Sequence, residues 1–143
     1  MEKYEIYKSM YDNLNKAMKN GFYYEAIFIE YAIFEDRLTA VLKYANVPFL
    51  CKSGRDINIT DKIERIEKRE EFSNKFVKER LTNELMQELR QWLKKRNELI
   101  HSLANIPYDS ETVKKIADEG YELVKKISNK SKSVINHIKR YGI

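Results

Sequence analysis

Scarcity of chain breakers constrains this sequence most: its 143 residues contain four Gly and two Pro, and Phe22 to Ala45 contains neither. These two residues end regular structure most sharply, so long uninterrupted elements are expected. Apolar spacing says which kind. Tyr7, Met10, Tyr11, Leu14 and Met18 recur at helical intervals, and Asn20-Gly21 supplies a left-handed stop. From Phe22 to about Ala45, one face carries Ala26, Ile29, Ile33, Ala40 and Tyr44, while Phe28, Leu38 and Leu42 cover others, the pattern of a central helix buried nearly all round. Val47 to Asp56, with Pro48 and Ser53-Gly54, reads as a loop. Thr60 or Asp61 caps a shorter helix to about Glu71, and Phe72 to Arg80 shows no decided period. Thr82 or Asn83 opens a stronger helix to about Ala104, stopped at Asn105-Ile106-Pro107 because the residue before proline disfavours the helical region. Asp109 or Ser110 caps a last helix to about Arg140, with Val113, Ile116, Val124, Ile127, Val134 and Ile138 as its stripe. The expectation is an all-α fold: one domain over residues 1–143, an antiparallel bundle of four long helices plus a short one.

Composition narrows the function classes. Ten Tyr, six Phe and one Trp supply bulk for a core, so the chain is not a disordered basic tail. A single cysteine, Cys51, excludes an intrachain disulfide framework, and with only His101 and His137 as imidazoles the usual zinc spacings are missing. The reading calls for no metal and no cofactor. No apolar run approaches a membrane span, and the charged first residues hold no apolar secretory core, so a cytoplasmic protein with no membrane partner is expected.

The formal net charge is +5, and it is not evenly spread. Leu123 to Ile143 holds six Lys and Arg and no acid, leaving the rest of the chain near neutrality. In the ordinary reading this is a solvated helix end whose cations complement the C-terminal dipole. In the functional reading, Lys125, Lys126, Lys130 and Lys132 track the phosphates of an RNA. Tyr141 is the one aromatic residue there, poor material for stacking bases, so backbone contacts would dominate. The Tyr-rich first helix and Phe22, Tyr23 and Tyr24 read as core and interface bulk rather than as a base-stacking platform, and His137 as a residue on a solvated face.

One helix carries the chemistry. At 100° per residue, Leu85, Leu89, Trp92, Leu93, Leu99, Ile100 and Leu103 fall in one apolar sector, with Arg96 in its middle. Either its stem packs and its guanidinium snorkels past the rim, or it meets a buried carboxylate. Glu30, set among Ile27, Ile29, Ile33 and Phe34, is an equally misplaced charge and the first candidate, with Glu35 or Asp36 as fallbacks. Asn97 and His101, four residues apart, lie on the stripe's edge.

Together these residues spell Arg96-Asn97-Glu98-Leu99-Ile100-His101, which resembles the R-N-x-x-x-H signature of the HEPN superfamily, small all-helical domains carrying the motif on a late helix. The resemblance implies a metal-independent endoribonuclease of toxin or phage-defence type, with Arg96 and His101 catalytic at a homodimer cleft and an antitoxin or inhibitor protein as a further partner. Chemistry agrees with the residue types. RNA cleavage by its own 2′-hydroxyl needs a base, an acid and positive charge on the phosphorane, which an imidazole and a guanidinium supply. Asn97 would orient His101 or the phosphate, and Glu30 would orient Arg96. Where a branch of the superfamily continues as H-x-Y, this chain has Leu103, so silencing by modification of that tyrosine does not carry over. A di-iron carboxylate site is excluded because Glu98-x-x-His101 has no second copy. The alternative is a non-catalytic helical adaptor or inhibitor that binds a protein or nucleic-acid partner.

Overall fold

The computed structural model describes residues 3–68, 75–103 and 109–142. Six helices appear in them: α1 (Lys3–Lys19), α2 (Tyr23–Tyr44), α3 (Ile59–Glu67), α4 (Lys75–Arg80), α5 (Asn83–Ser102) and α6 (Ser110–Tyr141). There is no named strand among them, only an isolated bridge between Leu50 and Asp56 in the 45–58 loop. The chain is thus all-α, as its breaker-poor sequence requires.

Among the described residues there are six helices, where five were expected. The segment that showed no decided period contains α4, whose Val77 is buried; six residues are too few for periodicity to declare itself. Helix α3 is capped by Asn58, whose side chain accepts from the Asp61 amide at 2.9 Å, so neither Thr60 nor Asp61 is the cap. It ends at Glu67; the expected continuation to Glu71 runs into residues 69–74, outside the described residues. Thr82 and Asp109 cap α5 and α6, accepting from Leu85 and Thr112 amides at 3.1 and 2.8 Å. The expected stop at Asn105-Ile106-Pro107 also lies outside the described residues.

At the end of α1, Gly21 takes φ +74° and the Phe22 amide donates to the Ala17 carbonyl at 2.9 Å, a Schellman closure. That tight turn folds α2 back onto α1, as the Lys3–Asp36 pairing at 3.9 Å shows. Helix α2 packs on α1, α3 and α6, and α6 also packs on α4 and α5. Directions follow from cross-helix partners. Tyr31 meets Arg96 and Phe34 meets Trp92, edge to face at 5.0 Å, so α2 and α5 run antiparallel. Glu30 meets Gly120 and Tyr44 meets Lys139, so α2 and α6 run parallel. These two form the closest pair, with α1 on one flank and α5 on the other. Buried residues from all six helices join in one apolar cluster, which includes Ile33, Phe34, Leu38, Leu89, Val124 and Ile127. Among the described residues, no helix is long and apolar enough to cross a membrane.

Candidate functional site

Helix α5 is fixed on its inner face by Leu85, Met86, Leu89, Trp92, Leu93 and Leu99, all buried. Trp92 is further held by its indole N–H, which donates to the Ile116 carbonyl of α6 at 3.0 Å. The last two turns, which carry the motif, are thereby presented at one end of the molecule.

Arg96 is half-buried against α2. Its guanidinium carbon stands 4.0 Å from the centroid of the Tyr31 ring, and Nη1 donates to Asn97 Oδ1 at 3.0 Å. Its Nε is buried and has no hydrogen-bond partner. Among the described residues, no carboxylate pairs with it. The arrangement is a cation held by a π-face and a neutral amide, with its charge uncompensated. Burial and the neighbouring Glu35 carboxylate push the Tyr31 phenol above its ordinary range, and the Arg96 charge opposes them.

The expected Arg96–Glu30 pair is absent. Glu30 is fully buried, and its carboxyl lies against Gly120 and Trp92 at the α2–α6 contact. One residue along a helix is a rotation of about 100°, so Tyr31 reaches α5 while Glu30 points to α6. Neither carboxyl oxygen has a hydrogen-bond partner, and burial, then the Asp118 charge, push the group from 4.5 up to about 9. The misplaced charge is resolved by protonation rather than by pairing. Of the fallbacks, Asp36 pairs with Lys3 and with Arg37 at 3.3 Å, and Glu35 touches the site only through Tyr31.

His101 is exposed on the last turn of α5. With Asn97 it lines an open groove of about 420 Å³ between α5 and the start of α3, whose other polar walls include Thr60, Arg90, Lys94 and Glu98. Arg90 is paired with Glu67; Lys94 has no ion pair among the described residues. Arg96 does not line this groove. At 100° per residue, Arg96 and His101 project from α5 about 140° apart, joined through the Arg96–Asn97 hydrogen bond. Sequence spacing placed Asn97 beside His101 correctly, but it could not show that Arg96 turns the other way.

The basic end of α6 divides. Lys125 pairs with Glu122 and Lys126 with Glu88, each at 3.3 Å, whereas Lys130 and Lys132 have no ion pair among the described residues. His137 is not on a simple solvated face: its ring stacks on Phe76 of α4 at 4.0 Å and 7°, and Tyr141 lies 4.9 Å beyond. The Arg80 guanidinium sits 4.4 Å over the other aromatic partner, Phe76. Of the α1 tyrosines, Tyr4 is 76% exposed and so is not part of the core. Sequence reasoning missed the Phe76–His137 stack because it joins residues more than sixty positions apart. No cluster of three or more His, Cys, Asp or Glu able to hold a metal occurs among the described residues.

Fold and site together define an all-α helical protein that presents, on one helix end, an exposed histidine and an arginine with no ion pair among the described residues. No protein-family profile, curated protein or solved structure matches the chain.

Proposed function

We propose that this protein is a HEPN-like, metal-independent endoribonuclease acting as a cytoplasmic homodimer, its long helices α1, α2, α5 and α6 forming the bundle expected of that superfamily. The observation that carries the reading is Arg96: a half-buried guanidinium with no carboxylate partner among the described residues, tethered to Asn97, which shares a groove with exposed His101. A cation kept free of counter-charge at a surface suits an anion that arrives from outside.

One protomer offers one histidine to this site, and general acid–base cleavage needs a base for the 2′-hydroxyl and an acid for the departing 5′-oxygen. A two-fold axis beside α5 supplies both from one residue type. The surface next to Arg96 fits such an axis. Tyr24 and Phe28 share the Tyr31 face of α2, and Ile100 and Leu103 share the Arg96 face of α5. Phe28 is 54% exposed and Leu103 48% exposed, an apolar area of the kind that marks an interface. Dimerisation there would bring two Arg96 side chains together, with His101 and His101 of the partner subunit at the rim. Guanidinium charge would stabilise the phosphorane, and the two imidazoles would exchange the protons. An inhibitor protein covering this face would silence the activity.

The test is cleavage of single-stranded RNA in excess EDTA, expected to yield 2′,3′-cyclic phosphate ends. His101→Ala and Arg96→Ala are expected to lower the rate by about 10²–10⁴ while leaving the helical spectrum intact. A His101→Ala protein that folds normally and cuts at the unmodified rate removes the catalytic reading in favour of the adaptor.

A further inference from the structure

At the opposite end of the bundle from the motif, α1, α2 and the last third of α6 enclose a groove of about 500 Å³. The Lys95–Glu119 ion pair sets the level of α5 against α6, so His101 lies near the start of α6. Ser128 to Lys139 line the groove, on the order of 30 Å away along the helix at 1.5 Å per residue.

Two kinds of side chain build it. Tyr4, Tyr7 and Tyr11 come from α1 and Tyr44 from α2. Tyr7 and Tyr11 are fixed, because the Tyr7 hydroxyl accepts from Arg37 and the Tyr11 hydroxyl hydrogen-bonds Ser128. Tyr4 and Tyr44 stand at the rim, 76% and 40% exposed. Among them are Lys3, Arg37, Lys132 and Lys139, and among the described residues no carboxylate lines the groove. Asp36, just outside, neutralises part of the charge by pairing with Lys3 and Arg37. Lys132 and Lys139 have no ion pair among the described residues, and Lys139 Nζ lies 5.1 Å from the Tyr44 ring centroid. The Arg37 side chain is 14% exposed and its Nε has no hydrogen-bond partner.

We propose that this groove binds single-stranded nucleic acid, its tyrosine rings stacking bases and its lysines meeting the phosphates. Aromatic rings interleaved with cations are what a single strand requires, because every base has a π-face and every linkage a negative charge. A base-paired duplex hides those faces and offers phosphates alone. An acidic peptide would satisfy the lysines and leave the exposed rim rings of Tyr4 and Tyr44 without purpose. The Asn129 and Asn136 amides in the same wall add hydrogen-bonding groups for base edges or sugar. The groove stands on its own chemistry, independent of whether the α5 motif cuts RNA.

The experiment is calorimetric titration of the full chain with a short oligodeoxythymidylate, which has no 2′-hydroxyl and so reports binding even if cleavage occurs or fails. Binding is expected to weaken as salt rises. Tyr44→Ala is expected to lower affinity about tenfold, with Tyr44→Phe restoring it, because the ring and not the hydroxyl stacks. Lys132→Glu with Lys139→Glu is expected to lower it by about tenfold or more. Circular dichroism on each variant confirms that the helices persist. Equal affinity for a duplex of the same length, equal competition by an oligoglutamate peptide, indifference to Tyr44→Ala in a folded protein, or no binding at low salt would each overturn the proposal.

Discussion

The Glu30 carboxyl occupies the space that a β-carbon on Gly120 would fill: such an atom would lie 2.6 Å from Glu30 Cδ and 2.8 Å from Trp92 Nε1. This contact lets α2 and α6 approach closely in the centre of the bundle, and it seals the carboxyl from water. The group is neutral as a result, and two consequences are measurable.

Stability should fall as pH rises across the range between the two ionisations of Glu30. The unfolded chain loses this proton near 4.5 and the native state near 9, so the native state binds more protons in between. The contribution of Glu30 to native stability is therefore greatest below about 4.5, declines toward about 9 and then levels. The burial cost at pH 7 is on the order of 3 kcal/mol. Glu30→Gln keeps the shape and cannot ionise. Its urea midpoint is expected to match the unmodified protein near pH 4.5 and to exceed it increasingly toward pH 8. Parallel pH profiles for the two proteins would contradict this.

Gly120→Ala should destabilise, against its intrinsic propensity. Replacing a mid-helix glycine by alanine ordinarily gains up to about 1 kcal/mol. Here the new methyl drives into a buried carboxyl that has no exit, and overpacking of this kind costs about 1–3 kcal/mol. Combining it with Glu30→Ala opens the space, so the pair should be less damaging than the sum of the singles. Additive losses in a double-mutant cycle would show that the contact is not the cause.

Lys62 is a second buried ionisable residue, 1% exposed on the first turn of α3, with its ammonium 3.3 Å from Asp56. Asp56→Ala leaves that ammonium without a partner and is expected to cost about 2–3 kcal/mol, reduced from a fully buried pair because Asp56 is half exposed. Lys62→Met keeps the packed stem and removes the charge, so it should cost less than Asp56→Ala. Chemical denaturation of both variants checks the order.

The proposed dimer face makes a separate demand. Phe28→Glu or Leu103→Glu places a charge on an exposed surface, where monomer stability changes by about 0.5 kcal/mol or less. If that surface is the interface, sedimentation should show a monomer, and RNA cleavage should fall with it. A dimer that survives both substitutions would place the two-fold axis elsewhere.

Much of the fold was legible because helical period and chain breakers are local signals. The α6 stripe of Val113, Ile116, Val124, Ile127, Val134 and Ile138 is buried throughout, and Gly21, Thr82 and Asp109 act where their chemistry said they would. Less local features were not legible. Ile100 is half-buried and Leu103 exposed, because the apolar sector of α5 runs past the edge of its neighbours. Helix α4 was missed because one turn and a half gives periodicity too little to repeat.

By itself, the sequence determined that this chain is helical, where most of its helices start and stop, and which residues spell the α5 motif. Each of those depends on neighbours a few positions apart, where backbone geometry fixes the spacing. Only the tertiary structure decided which charges meet. Glu30 and Arg96 read as a natural pair, yet one step of helix sends Glu30 to Gly120 on α6 and leaves Arg96 to the Tyr31 ring and the Asn97 amide. The same packing set the tyrosines of α1 beside lysines of α6 more than a hundred residues later. Charge partners and composite surfaces depend on which helix lies opposite, and that is settled by the packing of the whole core.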